Sequence, residues 1–227
     1  MDKNLLKQIV IEQKNLFLQK RGLFKREILN NFLKKFEKVN EIFVITGIRR
    51  CGKSTLLRLI YDEFKQKQKC NEEQFLYLNF EDERLIGFTK NDFNLLLEIF
   101  YEFYEPKSKQ KIFLFLDEIQ NIQYWEKWIN RLHESKKFKI FITGSNATLL
   151  SSELATALTG RYIPLKLYPL SFSEYYLYFL DNSLNKTSFY DTREKAKIAK
   201  ALDKYLQFGG MPQYLESKSS ELIQEYF

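Results

Sequence analysis

Cysteine and histidine are scarce in this sequence, and long apolar runs are missing. Its 227 residues include two cysteines, Cys51 and Cys70, at a spacing that fits no metal-ligand pattern, and one histidine, His133. A disulfide framework is therefore not expected, and a reducing compartment is the default. His133 lies alone on a predicted helix, where we expect a surface residue rather than a ligand or base. Without a charged-then-apolar leader or a bilayer-length apolar run, we predict a soluble, cytoplasmic protein with no membrane segment.

The composition is that of a globular protein with a moderately basic surface. Hydrophobic residues make up 44% and charged residues 29% of the chain, which is enough to form a sizeable core. Thirty-six basic and 29 acidic residues give a net charge of +7. That sign is compatible with nucleic acid or an anionic surface as a partner. Because the lysines are scattered rather than gathered in one block, a solvated lysine-rich surface is the alternative.

A phosphate-binding loop is predicted between a short apolar run and a helix. Ile42–Ile45 is typical of a buried strand, and apolar residues at helical spacing follow from Lys53 onward. The intervening sequence matches G-x-x-x-x-G-K-[ST], in which backbone N–H groups surround a triphosphate. Lys53 would reach the β- and γ-phosphates of ATP, and the Ser54 hydroxyl would coordinate Mg²⁺. The predicted nucleotide-binding residues are Gly47, Ile48, Arg49, Arg50, Cys51, Gly52, Lys53, Ser54 and Thr55.

Two adjacent acids follow a later apolar run, Lys111–Leu116. Asp117 is predicted to hold Mg²⁺ through its water shell, and Glu118 to orient the attacking water or accept its proton. Acids also cap ordinary strands, so the pair gains its meaning from the phosphate-binding loop. Lys53 and Glu118 are thus the principal catalytic candidates.

A polar residue after the next apolar run, Lys139–Thr143, is predicted to face the γ-phosphate. Asn146 is the first choice and Ser145 the second, as a third catalytic group that helps to place the water. Either residue would equally suit the N-cap of the following helix, and the two roles are compatible.

Strands alternating with helices predict an α/β fold of the P-loop NTPase class. Four predicted strands are continuously apolar, as in a parallel sheet covered by helices on both faces, while Pro164 marks a fifth, Tyr162–Leu167, as an edge strand. We therefore expect a five-stranded, mainly parallel sheet and a small C-terminal helical appendage. The predicted divisions are an N-terminal helical segment at 1–40, a P-loop ATPase core at 41–168 and a helical lid at 169–227. Because the last residues of the sequence, 221–227, are typical of a helix without a stop signal, we expect a longer C-terminal region.

The motifs together resemble the bacterial and archaeal ATP-binding proteins of the archaeal-ATPase type, which belong with the AAA-like and STAND ATPases. The matching stretches are Ile45–Thr55, Leu78–Asp82, Leu116–Gln120, Thr143–Asn146, Leu158–Arg161, Tyr168–Phe172 and Gly209–Pro212.

This resemblance implies binding of ATP and Mg²⁺ and hydrolysis with Glu118. It also implies that Arg161 contacts the γ-phosphate, often that of a neighbouring subunit, although a strand-end salt bridge explains Arg161 equally well. Gly210–Pro212 resembles an element that closes over nucleotide, and a segment such as 2–40 often borders the adenine, which makes Arg26 a candidate there. Family members often carry a C-terminal nuclease-like domain, which this sequence lacks, so the resemblance gives only weak grounds for a role with nucleic acid.

Three functions compete at this point. The first is an Mg²⁺-dependent ATPase that couples hydrolysis to a conformational change, in a homo-oligomer or through a C-terminal effector domain. The second is a slowly hydrolysing nucleotide switch or scaffold in a signalling or DNA-related assembly. The third, a phosphotransferase, is disfavoured because Glu118 beside Asp117 is suited to activating water.

Overall fold

The computed structural model describes residues 1–19, 22–36, 39–67, 69–106, 110–144, 158, 160–180 and 190–212. Within these ranges, helices and strands alternate after an N-terminal helical pair. The helices are α1 Lys3–Gln19, α2 Glu27–Phe36, α3 Lys53–Gln66, α4 Phe93–Phe103, α5 Trp125–Glu134, α6 Phe172–Leu180 and α7 Thr192–Phe208. The strands are β1 Ile42–Thr46, β2 Phe75–Asn79, β3 Ile112–Asp117, β4 Phe138–Gly144 and β5 Tyr162–Lys166.

The five strands form one sheet in the order β2–β3–β4–β1–β5, and every neighbouring pair is parallel. The predicted α/β fold is therefore confirmed. Strand β4 separates β1 from β3, so the loops that follow these three strands open onto one edge of the sheet. We call this edge the carboxyl edge, and it is where ligands of open α/β sheets bind.

Helices cover both faces of the sheet. On one face, aliphatic strand residues pack against α1, α4 and α5, with Leu6, Ile9 and Val10 of α1 fully or almost fully buried. On the other face, aromatic strand residues pack against α2 and α3. The continuous apolar strand sequences follow from this double coverage, because both sides of each inner strand are removed from water.

An aromatic row crosses the second face at right angles to the strands. The register aligns Phe43 of β1 with Phe141 of β4, Phe141 with Phe115 of β3, and Phe115 with Tyr77 of β2. Ring centroids lie 5.2 Å apart for Phe43 and Phe141 and 4.8 Å apart for Phe141 and Phe115. Phe17 of α1 stacks on Tyr77 at 4.2 Å. The row thus links four strands and the N-terminal helix.

A third, smaller apolar cluster joins the two C-terminal helices. It contains Leu170, Tyr175 and Tyr176 near or in α6, with Ile198 and Ala201 in α7, and Phe24 packs against it from the N-terminal segment. Among the described residues, no helix is both long and apolar enough to cross a membrane.

Most predicted elements are present with boundaries shifted by one or two residues. The apolar period of α4 predicts Phe103 on the buried side, which is wrong, since its side chain is 38% exposed in the last turn of the helix. The sequence also predicts helices at about 149–158 and 221–227, and these ranges fall almost wholly outside the described residues.

Candidate functional site

The first position of the loop between β1 and α3, Gly47, has no room for a side chain. A Cβ on Gly47 would lie 2.5 Å from the Leu167 carbonyl oxygen and 2.7 Å from Cys51 Sγ, so a larger residue would displace the loop. Gly52 has φ 98°, a left-handed conformation that L side chains rarely adopt. Arg50 also has a left-handed φ, 66°, although it carries a side chain, and such backbone strain is often found at functional sites.

The amino end of α3 is open to an anion. Its N-cap, Gly52, forms no side-chain capping hydrogen bond. The first-turn amides of a helix have no intrahelical acceptor and carry the positive end of the helix dipole. Ser54 and Thr55 lie in this first turn. This arrangement therefore fits a phosphate group.

The predicted loop residues differ in where they lie. Ile48 and Arg49 are on the surface, with Ile48 52% exposed and Arg49 paired to Glu81 at 2.8 Å. Cys51 is fully buried, and burial raises the pKa of its thiol. Its thiol therefore helps to fill the loop interior.

Lys53 lies against the loop and reaches the acid pair. Its Nζ donates to the carbonyl oxygens of Gly47 and Ile48 at 3.3 and 3.4 Å and lies 3.1 Å from Glu118 Oε1. Only 6% of the residue is exposed. Lys53 and the acid that directly follows β3 are thus in direct contact across the end of β4.

Asp117 is fully buried and surrounded by hydroxyl groups. Tyr77 Oη donates to Asp117 Oδ2 at 3.2 Å, Thr143 Oγ1 donates to Oδ1, and Ser54 forms a further hydrogen bond. Burial, together with the neighbouring charge of Glu118, raises the pKa of Asp117 although the hydroxyl groups oppose this. Because the unfolded chain loses this proton at lower pH, ionised Asp117 costs folding free energy above the folded-state pKa. A nearby cation would offset that cost.

Glu118 is held in an uncommon conformation. Its φ of 52° is left-handed, and its backbone N–H donates to Thr143 Oγ1 at 3.0 Å. Gln120 Nε2 donates to Glu118 Oε2 at 2.6 Å. Lys53 and Gln120 therefore contact different oxygens of the same carboxylate.

Three functional candidates were not predicted from the sequence: Thr143, Tyr77 and Gln120. Thr143 is the last but one residue of β4, and its hydroxyl contacts both Asp117 and Glu118. A hydroxyl residue at the end of an otherwise apolar strand was the available signal. Tyr77 gave no signal, because a tyrosine in an aromatic-rich strand is normally core.

Arg161 is not part of this cluster in its own chain. It precedes β5, whose first residue pairs with Ile42 at the start of β1, so it lies at the amino edge of the sheet. Arg161 Nη2 lies 3.3 Å from Glu134 Oε1, which is the strand-end salt bridge left open above. Asn146 and Ser145 lie outside the described residues.

The sequence predicts His133 on the surface and Arg26 near the adenine, and the structure places both differently. His133 is partly buried, and burial, with the charge of Arg161, lowers its pKa. Arg26 lies beside the loop, but its guanidinium faces Glu174 and main-chain carbonyl groups. Neither residue contributes to the Lys53–Glu118 contact.

The donor set fits a nucleotide with Mg²⁺. The uncapped end of α3 and Lys53 suit phosphate, while Ser54 and Asp117 provide the oxygen ligands that Mg²⁺ prefers. Among the described residues, no group of three or more His, Cys, Asp and Glu side chains could hold a metal ion. Mg²⁺ would here depend on phosphate and water for its remaining ligands.

Two relatives with similar sequences are described as uncharacterized proteins. One from Methanocaldococcus jannaschii is 37% identical over 226 residues, a match that covers 92% of this chain and 48% of that protein. One from Haemophilus influenzae is 38% identical over 193 residues, covering 85% and 44%. The chain thus spans less than half the length of these curated relatives.

Solved structures and a family model agree on the fold. AMPPCP-bound DnaA from Aquifex aeolicus has a TM-score of 0.51 at 16% identity, covering 91% of this chain and 62% of that one. PCH-2 of C. elegans has a TM-score of 0.54 at 15% identity, covering 99% and 62%. A family model described as an AAA domain matches residues 39–176, more than half of the chain. With the strand order and the loop before α3, this match shows that the chain belongs to the AAA family of P-loop ATPases.

Proposed function

We propose that this chain binds ATP with Mg²⁺ and hydrolyses it, coupling hydrolysis to a conformational change. The observation that carries the proposal is the contact of Lys53 Nζ with Glu118 Oε1 at 3.1 Å, beside the buried Asp117. A phosphate-binding lysine, a metal-binding carboxylate and a water-activating carboxylate are the minimum set for hydrolysing a terminal phosphate. A cytoplasmic location accords with this function and stays a prediction.

Each residue has a separate role in the proposed reaction. Lys53 exchanges Glu118 for the terminal phosphates when ATP binds, and the first-turn amides of α3 hold the remaining phosphate oxygens. Ser54 and Asp117 would hold Mg²⁺, which would neutralise charge on the phosphates. Glu118, released from Lys53 and oriented by Gln120, positions a water and accepts its proton. Thr143 fixes both acids through its hydroxyl.

The experiment compares two lysines on the same helix. We expect Lys53→Ala to weaken ATP binding by about 100-fold or more, because it removes a charge-assisted contact in a buried setting. Lys65→Ala is the matched control, since Lys65 is 51% exposed, pairs with the surface residue Glu72 and lies over the Tyr61 ring. Calorimetric titration with Mg-ATP measures both. Equal affinities for the wild type and Lys53→Ala would refute the assignment of the loop.

A slowly hydrolysing switch is the second candidate, and one observation favours it. Both carboxylate oxygens of Glu118 are engaged, one by Lys53 and the other by Gln120 at 2.6 Å. A base held in this way must be released before each turnover, which would slow hydrolysis. Steady-state phosphate release separates the two functions: continuous turnover supports the hydrolase, whereas stoichiometric binding without turnover supports the switch.

The partners of the site are proposals of the same kind. Arg161 is 43% exposed at the amino edge, where it could reach only the nucleotide of a neighbouring copy. We propose this role for Arg161 in a homo-oligomer and keep Asn146 as the candidate facing the γ-phosphate. DnaA, which shares the fold, has also been solved with AMPPCP and single-stranded DNA. Nucleic acid and a C-terminal effector domain stay proposals.

A further inference from the structure

A buried ion pair lies directly behind the phosphate-binding loop. Arg26 Nε and Nη2 donate to Glu174 Oε1 and Oε2 at 2.9 and 3.1 Å. Nη2 also donates to the carbonyl oxygens of Tyr168 and Pro169 at 2.9 and 3.3 Å, and Nη1 donates to the carbonyl oxygen of Cys51 at 3.4 Å. Arg26 is 8% exposed and Glu174 3%. The guanidinium thus joins the segment before α2, the loop and the chain leading into α6.

Backbone hydrogen bonds keep the Glu174 carboxylate ionised opposite Arg26. Its carboxylate accepts the backbone N–H groups of Glu27 at 2.8 Å and Ser171 at 3.0 Å. Burial acts to raise the pKa of Glu174, but these hydrogen bonds and Arg26 hold it below its ordinary value. The carboxylate therefore stays ionised opposite Arg26, and removing either partner would leave a buried charge unpaired.

The contact with Cys51 bears on the shape of the loop. In a trans peptide unit the carbonyl and the following N–H point in opposite directions within one plane. A hydrogen bond that fixes the Cys51 carbonyl toward Arg26 therefore directs the Gly52 N–H away from it, where it is available to a phosphate. Gly52 also lies close to this side chain, since a Cβ there would be 3.9 Å from Arg26 Nη1.

The same junction continues into the C-terminal helices. Leu167 N donates to the Thr46 carbonyl at 2.6 Å, next to the loop. Leu170 N then donates to the Gly210 carbonyl at 2.7 Å, and a Cβ on Gly210 would lie 2.2 Å from the Leu170 carbonyl oxygen. Arg26 therefore holds the short stretch that connects the loop to the Gly209–Pro212 turn.

We propose that Arg26, with Glu174 as its counter-charge, is a positioning residue that holds the phosphate-binding loop in its nucleotide-binding shape. The inference rests on the proposed function, because it concerns the affinity of that loop for ATP. Arg26 acts through the Cys51 carbonyl and does not itself touch the phosphates. The same ion pair makes ATP affinity depend on the attachment of α6.

The first measurement is ATP affinity in a double-mutant cycle of Arg26→Lys and Glu174→Gln. We expect each single variant to weaken ATP binding by about tenfold or more. The double variant should bind ATP only slightly more weakly than either single variant, because both substitutions break the same ion pair. Arg84→Lys is the matched control. Arg84 likewise bonds two carboxylates, Asp82 and Glu12, neither of them in the loop, and its variant should bind ATP within about twofold of wild type. Additive effects, or an equal loss in the control, would overturn the proposal.

The second measurement needs no nucleotide and separates this proposal from the first. Without ATP, Arg26→Lys should accelerate hydrogen exchange of the loop amides at 48–54 by about tenfold, with the β3 amides unchanged. General destabilisation would accelerate both regions. If the wild type fails to bind ATP, the proposed function falls and the exchange result decides the role of Arg26 alone. Unchanged hydrogen exchange of the loop amides in Arg26→Lys would refute the proposed positioning role of Arg26.

Discussion

Replacing Glu118 by glutamine should slow ATP hydrolysis while tightening ATP binding. Glutamine has nearly the same shape, and its amide oxygen can still accept from Lys53 Nζ. The substitution removes the negative charge that Lys53 contacts at 3.1 Å in a setting where the two side chains are 5% and 19% exposed. It also removes the carboxylate that the proposed reaction uses to accept a proton from water.

The size of the binding effect follows from that ion pair. At an effective dielectric constant of about 20, two unit charges 3.1 Å apart attract by about 5 kcal/mol. Most of this attraction offsets the desolvation of the two groups, so the net contribution of the pair is about 1 kcal/mol. ATP must break the pair to reach Lys53. Without it, ATP should bind about fivefold more tightly.

The rate effect has a different origin and a larger size. Loss of a general base typically slows a reaction by about 100-fold to 10,000-fold, and we expect at least the lower value for phosphate release. Glu81→Gln is the control, because it removes the same charge beside the same loop from the exposed pair with Arg49. Calorimetry and a phosphate-release assay measure both variants. Turnover within about threefold of wild type in Glu118→Gln would show that water is activated elsewhere, and weaker ATP binding would refute the ion-pair argument.

Three further substitutions test the surroundings of the site. Without nucleotide, Asp117→Asn should raise the free energy of unfolding by about 1 kcal/mol, or Tm by about 3 °C, because an ionised buried carboxylate destabilises the fold. A lower Tm would contradict that reasoning. In the presence of ATP, the same substitution should abolish stabilisation by Mg²⁺. Tyr77→Phe should weaken Mg-ATP binding about tenfold, since one Asp117 oxygen loses its donor. Tyr61→Phe is its control, as the Tyr61 hydroxyl has no hydrogen-bond partner among the described residues. Gly47→Ala should lower stability by about 2 kcal/mol in thermal unfolding, because its Cβ would meet the Leu167 carbonyl; an unchanged Tm would refute that contact.

The sheet and the loop could be predicted because local sequence determines them. Continuous apolar runs give buried strands, and the glycine spacing before Lys53 gives the loop. The order of the strands is not local, and it brings Thr143 of β4 between the loop and the acids. No periodicity signals that placement. The sequence pattern therefore places Thr143 in the strand and makes Asn146 the candidate for the third catalytic group.

Long-range ion pairs were equally beyond the sequence. Arg26 and Glu174 are 148 residues apart, Arg26 directly before α2 and Glu174 in α6, and no local pattern links them. The resemblance to known ATPases directed Arg26 toward the adenine, whereas its partners are a carboxylate and main-chain carbonyl groups. For Arg161 the parallel pairing of β5 with β1 decides the position, because it sets Arg161 at the opposite edge from Lys53. Such placements depend on tertiary packing.

The aromatic row from Phe43 to Tyr77 has a mechanical consequence. Interlocked rings on β1, β4, β3 and β2 resist any sliding of one strand along its neighbour, because a shift would pull each ring out of its packed contacts at once. We therefore expect the strand ends beside Gly47, Asp117 and Thr143 to keep fixed mutual spacings through the proposed nucleotide cycle. Under the proposed function, movement driven by ATP would then arise in side chains, loops and outer helices, while the sheet would stay fixed.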